Sequence, residues 1–328
     1  MKKVSILVPE GTAAIAVTGP LDILTQAGRY WMSLDQSRKR PFFDIELVSL
    51  DNREVKSFSD YPISCHTQTE KVKKTNLILI PSLPGDYQKC IKSNEKFITL
   101  MREQYKKGAE IASYCTGSFL LAATGLLNGK RASTHWMAAG EFKRLFPDIE
   151  LVSNRIIVDE GRLYSSGGAT AFLNLTLYLI EKYCGRETAV FISKSMLIDM
   201  QKAPQNVYAV FSGQKDHNDE IILKVQHFIE DNVRKKLGID DLTGVALLSK
   251  RSLIRRFIAA TGNSPKEYIQ RVKVEEVRRM LEFGNKTTQE IFNTVGYDDH
   301  ATLRKIFKKY TGLLPGEYRK KFTQPIEK

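Results

Sequence analysis

Ser249-Lys250-Arg251-Ser252-Leu253-Ile254-Arg255-Arg256-Phe257 returns fifty residues later as Asp299-His300-Ala301-Thr302-Leu303-Arg304-Lys305-Ile306-Phe307. The match runs outward on both sides. Val245 pairs with Val295, Thr261-Gly262 with Thr311-Gly312, Pro265 with Pro315, Glu267 with Glu317 and Tyr268 with Tyr318. An ordered repeat of this kind marks a duplicated structural unit. Each copy reads as helix, turn, helix. In the second, Thr287-x-x-Glu290 forms a capping box and Ile291, Phe292 and Val295 give the apolar face. Gly296 stops that helix, and Asp298 is placed to cap the next, on which Leu303, Ile306, Phe307 and Tyr310 recur at three-and-four spacing. In the first, Leu242, Val245 and Ala246 face inward, and Ser249 caps a helix carrying Leu253 and Phe257. Ser264-Pro265-x-Glu267 opens the long helix that joins the copies.

In a helix-turn-helix unit the second helix enters the DNA major groove. Its outer face must offer groups for phosphates and base edges. The first copy offers Lys250, Arg251, Ser252 and Arg255. The second offers His300, Thr302, Arg304 and Lys305, with Lys308 and Lys309 beyond. Arginine can pair bidentately with guanine, and Ser, Thr and His can reach groove edges or phosphates. One such unit alone reads as an ordinary hairpin with a solvated basic face. Two in register, both basic, read as a double-stranded DNA binder.

These residues resemble the AraC/XylS family of bacterial transcription regulators. The carrying stretches are Ser249-Lys250-Arg251-Ser252-Leu253-x-x-x-Phe257 and Gly296-Tyr297-x-x-x-Ala301-Thr302-Leu303-Arg304-x-x-Phe307. The second continues through Thr311-Gly312-x-x-Pro315-x-x-Tyr318-Arg319. The resemblance implies two units that read successive major-groove faces. Its recognition positions fall on Arg251, Ile254 and Arg255, then His300, Ala301 and Lys305. Ile254 stands where many members carry a polar residue, so no hydrogen-bonding role is assigned to it.

Upstream, the pattern changes. Val4 to Val8, Phe43 to Leu50, Asn76 to Pro81 and Glu110 to Tyr114 read as strands. Helical patterns after Pro20 and over Glu95 to Lys107 alternate with them. This predicts an α/β domain with a mostly parallel sheet flanked by helices, ahead of an all-α domain with two helix-turn-helix units. The expected boundaries are 1–210 for the first domain, 211–219 for a polar linker and 220–328 for the second. The helix-turn-helix units fall at about 240–262 and 288–312.

The segment Ile111-Ala112-Ser113-Tyr114-Cys115-Thr116-Gly117-Ser118 carries the chemistry. A short strand runs into Cys115 and small residues then open a helix, the pattern of a nucleophile elbow. A helix dipole and backbone N–H groups there would favour the thiolate. His135, in Ser133-Thr134-His135-Trp136, is a candidate imidazole partner. With Cys and His alone, a packed thiol and a hydrogen-bonded imidazole are the simpler reading. The wider pattern resembles the PfpI-like, glutamine-amidotransferase-type domain of GlxA-type AraC regulators. It comprises Gly19-Pro20-Leu21-Asp22, Tyr114-Cys115-Thr116-Gly117, Leu120-Leu121-Ala122-Ala123-x-Gly125, Thr134-His135-Trp136 and Ser166-Gly167-Gly168.

That resemblance implies a sensor for a small, nitrogen-containing metabolite, with Cys115, Thr116, His135 and Trp136 at the pocket. It implies promoter binding modulated by that effector, a homodimer, and RNA polymerase as partner in the activator role that is the family's commoner one. Enzymes of this fold add an acid four residues before the proline matching Pro20. Here that position is Ala16, and Glu10 is displaced from it. Cys115 and His135 are therefore vestigial catalytic candidates, and no enzyme activity, cofactor or metal is expected.

The chain has 328 residues, 42% hydrophobic and 27% charged, which excludes wholesale disorder. No apolar run reaches the roughly 18 residues of a membrane span, and the short apolar stretch after Lys3 is a strand rather than a signal peptide. Four scattered cysteines suit a reducing, cytoplasmic setting. The net charge is +13, and residues 217–328 hold 22 Lys/Arg against 15 Asp/Glu. Two rival readings are a Cys-dependent hydrolase or glyoxalase-like enzyme with an accessory DNA-binding tail, and an architectural DNA binder whose first domain only dimerises.

Overall fold

A computed structural model describes residues 1–51, 53–152, 154–200, 205–297 and 299–323. The chain divides into two compact units between Gln205 and Asn206.

The N-terminal unit is built on a seven-stranded sheet. Across it run Ile157–Asp159, Leu163–Ser166, Glu110–Tyr114, Leu77–Ile80, Lys2–Leu7, Phe43–Ser49 and Thr67–Gln68. Neighbours are parallel except the first pair. The continuous apolar run Leu77-Ile78-Leu79-Ile80 is wholly buried because both faces of the sheet are covered. Leu77 and Leu79 join Val4, Ile6, Phe172 and Leu175 in one core. Ile78 and Ile80 join Phe97, Met101, Phe119 and Leu120 in the other. Helices Ala14–Ser33 and Ala171–Cys184 supply the first layer, Glu95–Lys106 and Ser118–Ala123 the second.

The first helix begins six residues before Pro20, not after it. The proline lacks an N–H and costs an intrahelical hydrogen bond. Burial of Ala16, Val17, Pro20, Ile23 and Leu24 on one face offsets that cost.

In the C-terminal unit the fifty-residue repeat is visible atom by atom. The helices are Ile239–Ala246 with Lys250–Thr261, then Thr288–Thr294 with His300–Thr311, and Pro265–Phe283 joins the two pairs. In each copy a threonine hydroxyl at the end of the second helix donates to a phenylalanine carbonyl one turn back. Thr261 to Phe257 and Thr311 to Phe307 both measure 2.8 Å. Each of these helices ends on a left-handed glycine, Gly262 at φ 67° and Gly312 at φ 78°, a conformation that costs other residues free energy. The phenylalanine then meets a tyrosine edge-on, Phe257 with Tyr268 at 5.3 Å and Phe307 with Tyr318 at 5.4 Å. Each tyrosine hydroxyl donates to a glutamate, Glu230 or Glu282. Two small cores result, one around Leu242, Leu253 and Phe257, the other around Ile291, Leu303 and Phe307.

The capping boxes at Ser264/Glu267 and Thr287/Glu290 are both formed, and Ser249 caps its helix. Asp298 lies outside the described residues. The cap of the second reading helix is Asp299, whose carboxylate accepts from the Ala301 and Thr302 N–H groups. The polar stretch read as a linker is tied into the C-terminal unit. Gln214 O accepts from Gln226 Nε2, Lys215 pairs with Glu230 at 2.7 Å, and Asp219 caps helix Glu220–Asp231. Turn-rich composition does not reveal such partners, because they lie on a later helix. Among the described residues no helix is long and apolar enough to cross a membrane.

Candidate DNA interface and elbow site

The elbow sits at the C-terminal end of the strand Glu110–Tyr114, the edge where open parallel sheets place ligands. Cys115 is buried and has φ 53°, a strained value for a non-glycine residue. Gly117 follows in ordinary helical geometry at φ −59°. Any side chain there would meet main-chain oxygens, since a Cβ would lie 2.3 Å from Pro81 O and 2.6 Å from Ile80 O. Thr116 locks the neighbouring loop. Its hydroxyl donates to Leu83 O and accepts from Leu83 N–H, at 2.9 and 2.8 Å.

The thiol is not the thiolate that the helix end suggested. Burial pushes the Cys115 pKa up, against a smaller opposing pull from the Thr116 N–H and hydroxyl. The helix after it, Ser118–Ala123, has only six residues.

His135 accepts the Met137 N–H at its Nδ1, 3.2 Å away, and stacks on Trp136 with centroids 5.5 Å apart. Burial lowers its pKa, which favours the neutral ring. Among the described residues no hydrogen bond joins Cys115 to His135. The elbow is instead tied to Thr134. Ser118 Oγ donates to Thr134 Oγ1 at 2.7 Å, and Thr134 Oγ1 in turn donates to Cys115 O at 3.2 Å. In the sequence Thr134 stands only as a neighbour of His135, and nothing local marks it as the contact to the elbow. Ala16 is buried in the first turn of its helix, and Glu10 is exposed.

Two further residues, Tyr87 and Gln205, escaped the sequence, and Ser166 entered it only as part of a motif. Tyr87 stacks on Phe119, and its hydroxyl is raised by burial and then by the nearby Cys115, Glu141 and Cys90. Ser166 lies beside Tyr114 in the sheet register, with a buried hydroxyl that has no partner among the described residues. Gln205 donates from Nε2 to Ser133 Oγ, Thr134 O and Arg155 O, and among the described residues its buried Oε1 has no donor. No local motif announces a partner seventy residues away. Among the described residues no group of three or more His, Cys, Asp or Glu is placed to hold a metal ion.

On the reading helices, Arg251, Arg255, Arg304, Lys305 and Lys308 are exposed. Among the described residues none of the five has a side-chain hydrogen bond or ion pair. Lys250 pairs with Asp240 at 2.7 Å, an exposed contact worth little in water. Ser252 is half-buried in the capped first turn, where its N–H donates to Ser249 Oγ. Two of the expected base readers are already engaged. The Thr302 hydroxyl donates to the Asp299 carboxylate, and His300 Nε2 lies 2.7 Å from Asn293 Oδ1. The reaching groups of the second helix are therefore Arg304, Lys305 and Lys308. Ile254 is 39% exposed and Ala301 is exposed. Arg256 turns inward to Asp219 at 2.5 Å and is not among the outward cations.

Duplicated helix-turn-helix units with basic outer faces, following an α/β domain, define a DNA-binding transcriptional regulator. The chain belongs to the DJ-1/PfpI family, which matches residues 2–182, and a helix-turn-helix domain matches residues 242–321. It is similar to the HTH-type transcriptional regulator GlxA of Rhizobium meliloti, 24% identical over 287 residues, covering 86% of each chain. Over its N-terminal part it is similar to the isonitrile hydratase of Pseudomonas putida, 29% identical over 178 residues, covering 54% of this chain and 69% of that one. A putative transcriptional regulator protein from Vibrio parahaemolyticus has the same N-terminal fold, with TM-score 0.53 and 24% identity, covering 60% of this chain and 98% of that one.

Proposed function

We propose that this regulator binds a specific promoter site through both reading helices and that a small metabolite held beside the elbow modulates that binding. The observation that carries the reading is the atom-level repeat of two basic helix-turn-helix units behind a DJ-1/PfpI-type domain. Arg251 and Arg255 in the first unit, and Arg304 and Lys305 in the second, contact bases or phosphates. Lys250, Ser252, His300 and Thr302 flank the groove, and Lys308 contacts the backbone.

The effector pocket comprises Cys115, Thr116, His135 and Trp136. Its chemistry favours a nitrogen-containing ligand, because the buried Gln205 Oε1 is an acceptor with no donor among the described residues. The regulator acts in the cytoplasm as a homodimer, and as an activator it meets RNA polymerase.

The DNA contacts are separable by salt. Arg255→Ala is expected to weaken specific binding by about 1–3 kcal/mol and to relax preference at one base pair. Lys308→Ala is expected to weaken all sequences alike and to lower the salt slope by about one unit. Fluorescence anisotropy on matched and scrambled duplexes in graded salt measures both. An equal loss on all sequences for Arg255→Ala makes it a phosphate contact, and an unchanged slope removes Lys308 from the interface.

A second reading, a Cys-dependent enzyme, draws on the similarity to isonitrile hydratase. The raised thiol pKa, the absence of a described Cys115–His135 bond and the alanine at position 16 weigh against it. Cys115→Ala is expected to leave effector-free promoter binding within about twofold and to lower the response to effector. Turnover of an isonitrile by the wild type, lost in Cys115→Ala, would establish the enzyme instead.

A further inference from the structure

A cavity of about 640 Å³ lies inside the C-terminal unit, remote in sequence from the elbow. Its walls come from both helix-turn-helix copies and from the helix between them. Leu237, Ile239, Leu242, Ile254 and Ile269 make it largely apolar. Lys273 lines it too and is only 3% exposed. Its ammonium donates to Lys235 O at 2.7 Å and Val295 O at 2.5 Å, and lies 5.1 Å from the centre of the Tyr297 ring.

A buried charge of this kind ordinarily has a carboxylate partner, because neutral carbonyls do not repay its desolvation. Among the described residues none pairs with Lys273. Among the described residues, the acids of these elements have other partners, and Asp298 lies outside the described residues. Asp299, at the rim, caps its own helix. Asp240 holds Lys250. Glu276 is taken by Arg234 and Arg279. Burial alone holds the Lys273 pKa down to about 8. The cavity thus combines apolar walls, a volume in the range of small-molecule sites, and one buried cation that no carboxylate among the described residues pairs with.

We infer that this cavity is a second ligand site, for a small monocarboxylate with an apolar body whose carboxylate pairs with Lys273. Such a ligand would touch Lys250 and Ile254 on the first reading helix. It would also touch Gly296, Tyr297 and Asp299 at the entry to the second. Binding there sets the two reading helices relative to each other and so changes DNA affinity. The site is independent of the elbow pocket, and its occupancy can be read without DNA.

Sodium decanoate is the probe, titrated calorimetrically into the full-length protein at pH 8, with decanol as the uncharged control. The expected result is one decanoate per chain, bound at least tenfold more tightly than decanol. Binding should take up protons, read as a difference between two buffers of unlike ionisation heat, because the carboxylate raises the Lys273 pKa. Ile254→Glu, at a partly exposed position, brings a carboxylate of the chain itself to the cavity and should weaken decanoate at least tenfold. Lys273→Met should bring decanoate to the level of decanol. If that variant does not fold, the decanol comparison, the proton uptake and Ile254→Glu decide. Equal affinity for decanoate and decanol, absence of proton uptake, unchanged binding in Ile254→Glu, or no binding at millimolar concentration each overturns the inference. Loss of binding in Cys115→Trp with full binding in Ile254→Glu would place the carboxylate at the elbow and overturn it too.

Discussion

Gly117→Ala is expected to unfold the N-terminal unit or to cost it more than about 4 kcal/mol, the extreme end of single-residue effects. The cause is steric and local. The added Cβ would lie 2.3 Å from Pro81 O and 2.6 Å from Ile80 O. Ile80 ends a central strand buried on both faces and Pro81 follows it directly, so neither oxygen can yield without shifting the sheet. The backbone of Gly117 is ordinary, so conformational entropy contributes little. Thermal unfolding of the variant should lose the N-terminal transition and keep that of the C-terminal unit. A variant that melts with the wild type would refute the close packing of the elbow against the strand end.

The second large effect tests the repeat. Phe257→Ala and Phe307→Ala are each expected to cost about 3–5 kcal/mol, as for fully buried aromatic side chains. Each ring is fully buried in a small core of nine buried residues and supports a tyrosine whose hydroxyl is bonded to a glutamate. Because the surroundings match, the two losses should be similar. Each should abolish promoter binding, since a reading helix detached from its core cannot be held in the groove. Chemical denaturation followed by circular dichroism gives the losses, and anisotropy gives the binding. A large loss for one ring with none for the other would contradict the equivalence of the copies.

The repeat was legible in the sequence because its determinants are local. Caps such as Ser249 and Thr287, left-handed glycines such as Gly262 and Gly312, and three-and-four apolar spacing all act within one or two turns. The parallel sheet was legible for a similar reason, since Leu77-Ile78-Leu79-Ile80 must bury both faces. Long-range partners were not legible. The linker read from Ser212 to Asp219 belongs to the C-terminal unit through Gln226 and Glu230, and nothing within the segment signals that.

The elbow shows the same division. Its strand, turn and small residues were visible in Ile111 to Ser118. The balance that sets the thiol was not, because burial depends on what packs above Cys115. His135 was the candidate imidazole partner, yet its Nδ1 serves its own turn and Thr134 makes the contact to the elbow. On the reading helices, composition placed the cations on one face. It could not tell that Thr302 and His300 are occupied by Asp299 and Asn293.

The central claim is sequence-specific DNA binding by two cooperating reading helices. Its most direct measurement is titration of the full-length protein with promoter fragments against excess competitor DNA in graded salt. Tight binding to one fragment that survives the competitor, and that Arg255→Ala and Lys305→Ala each weaken at different base pairs, is the predicted result. Weak, steeply salt-dependent binding that is equal on every fragment would contradict it.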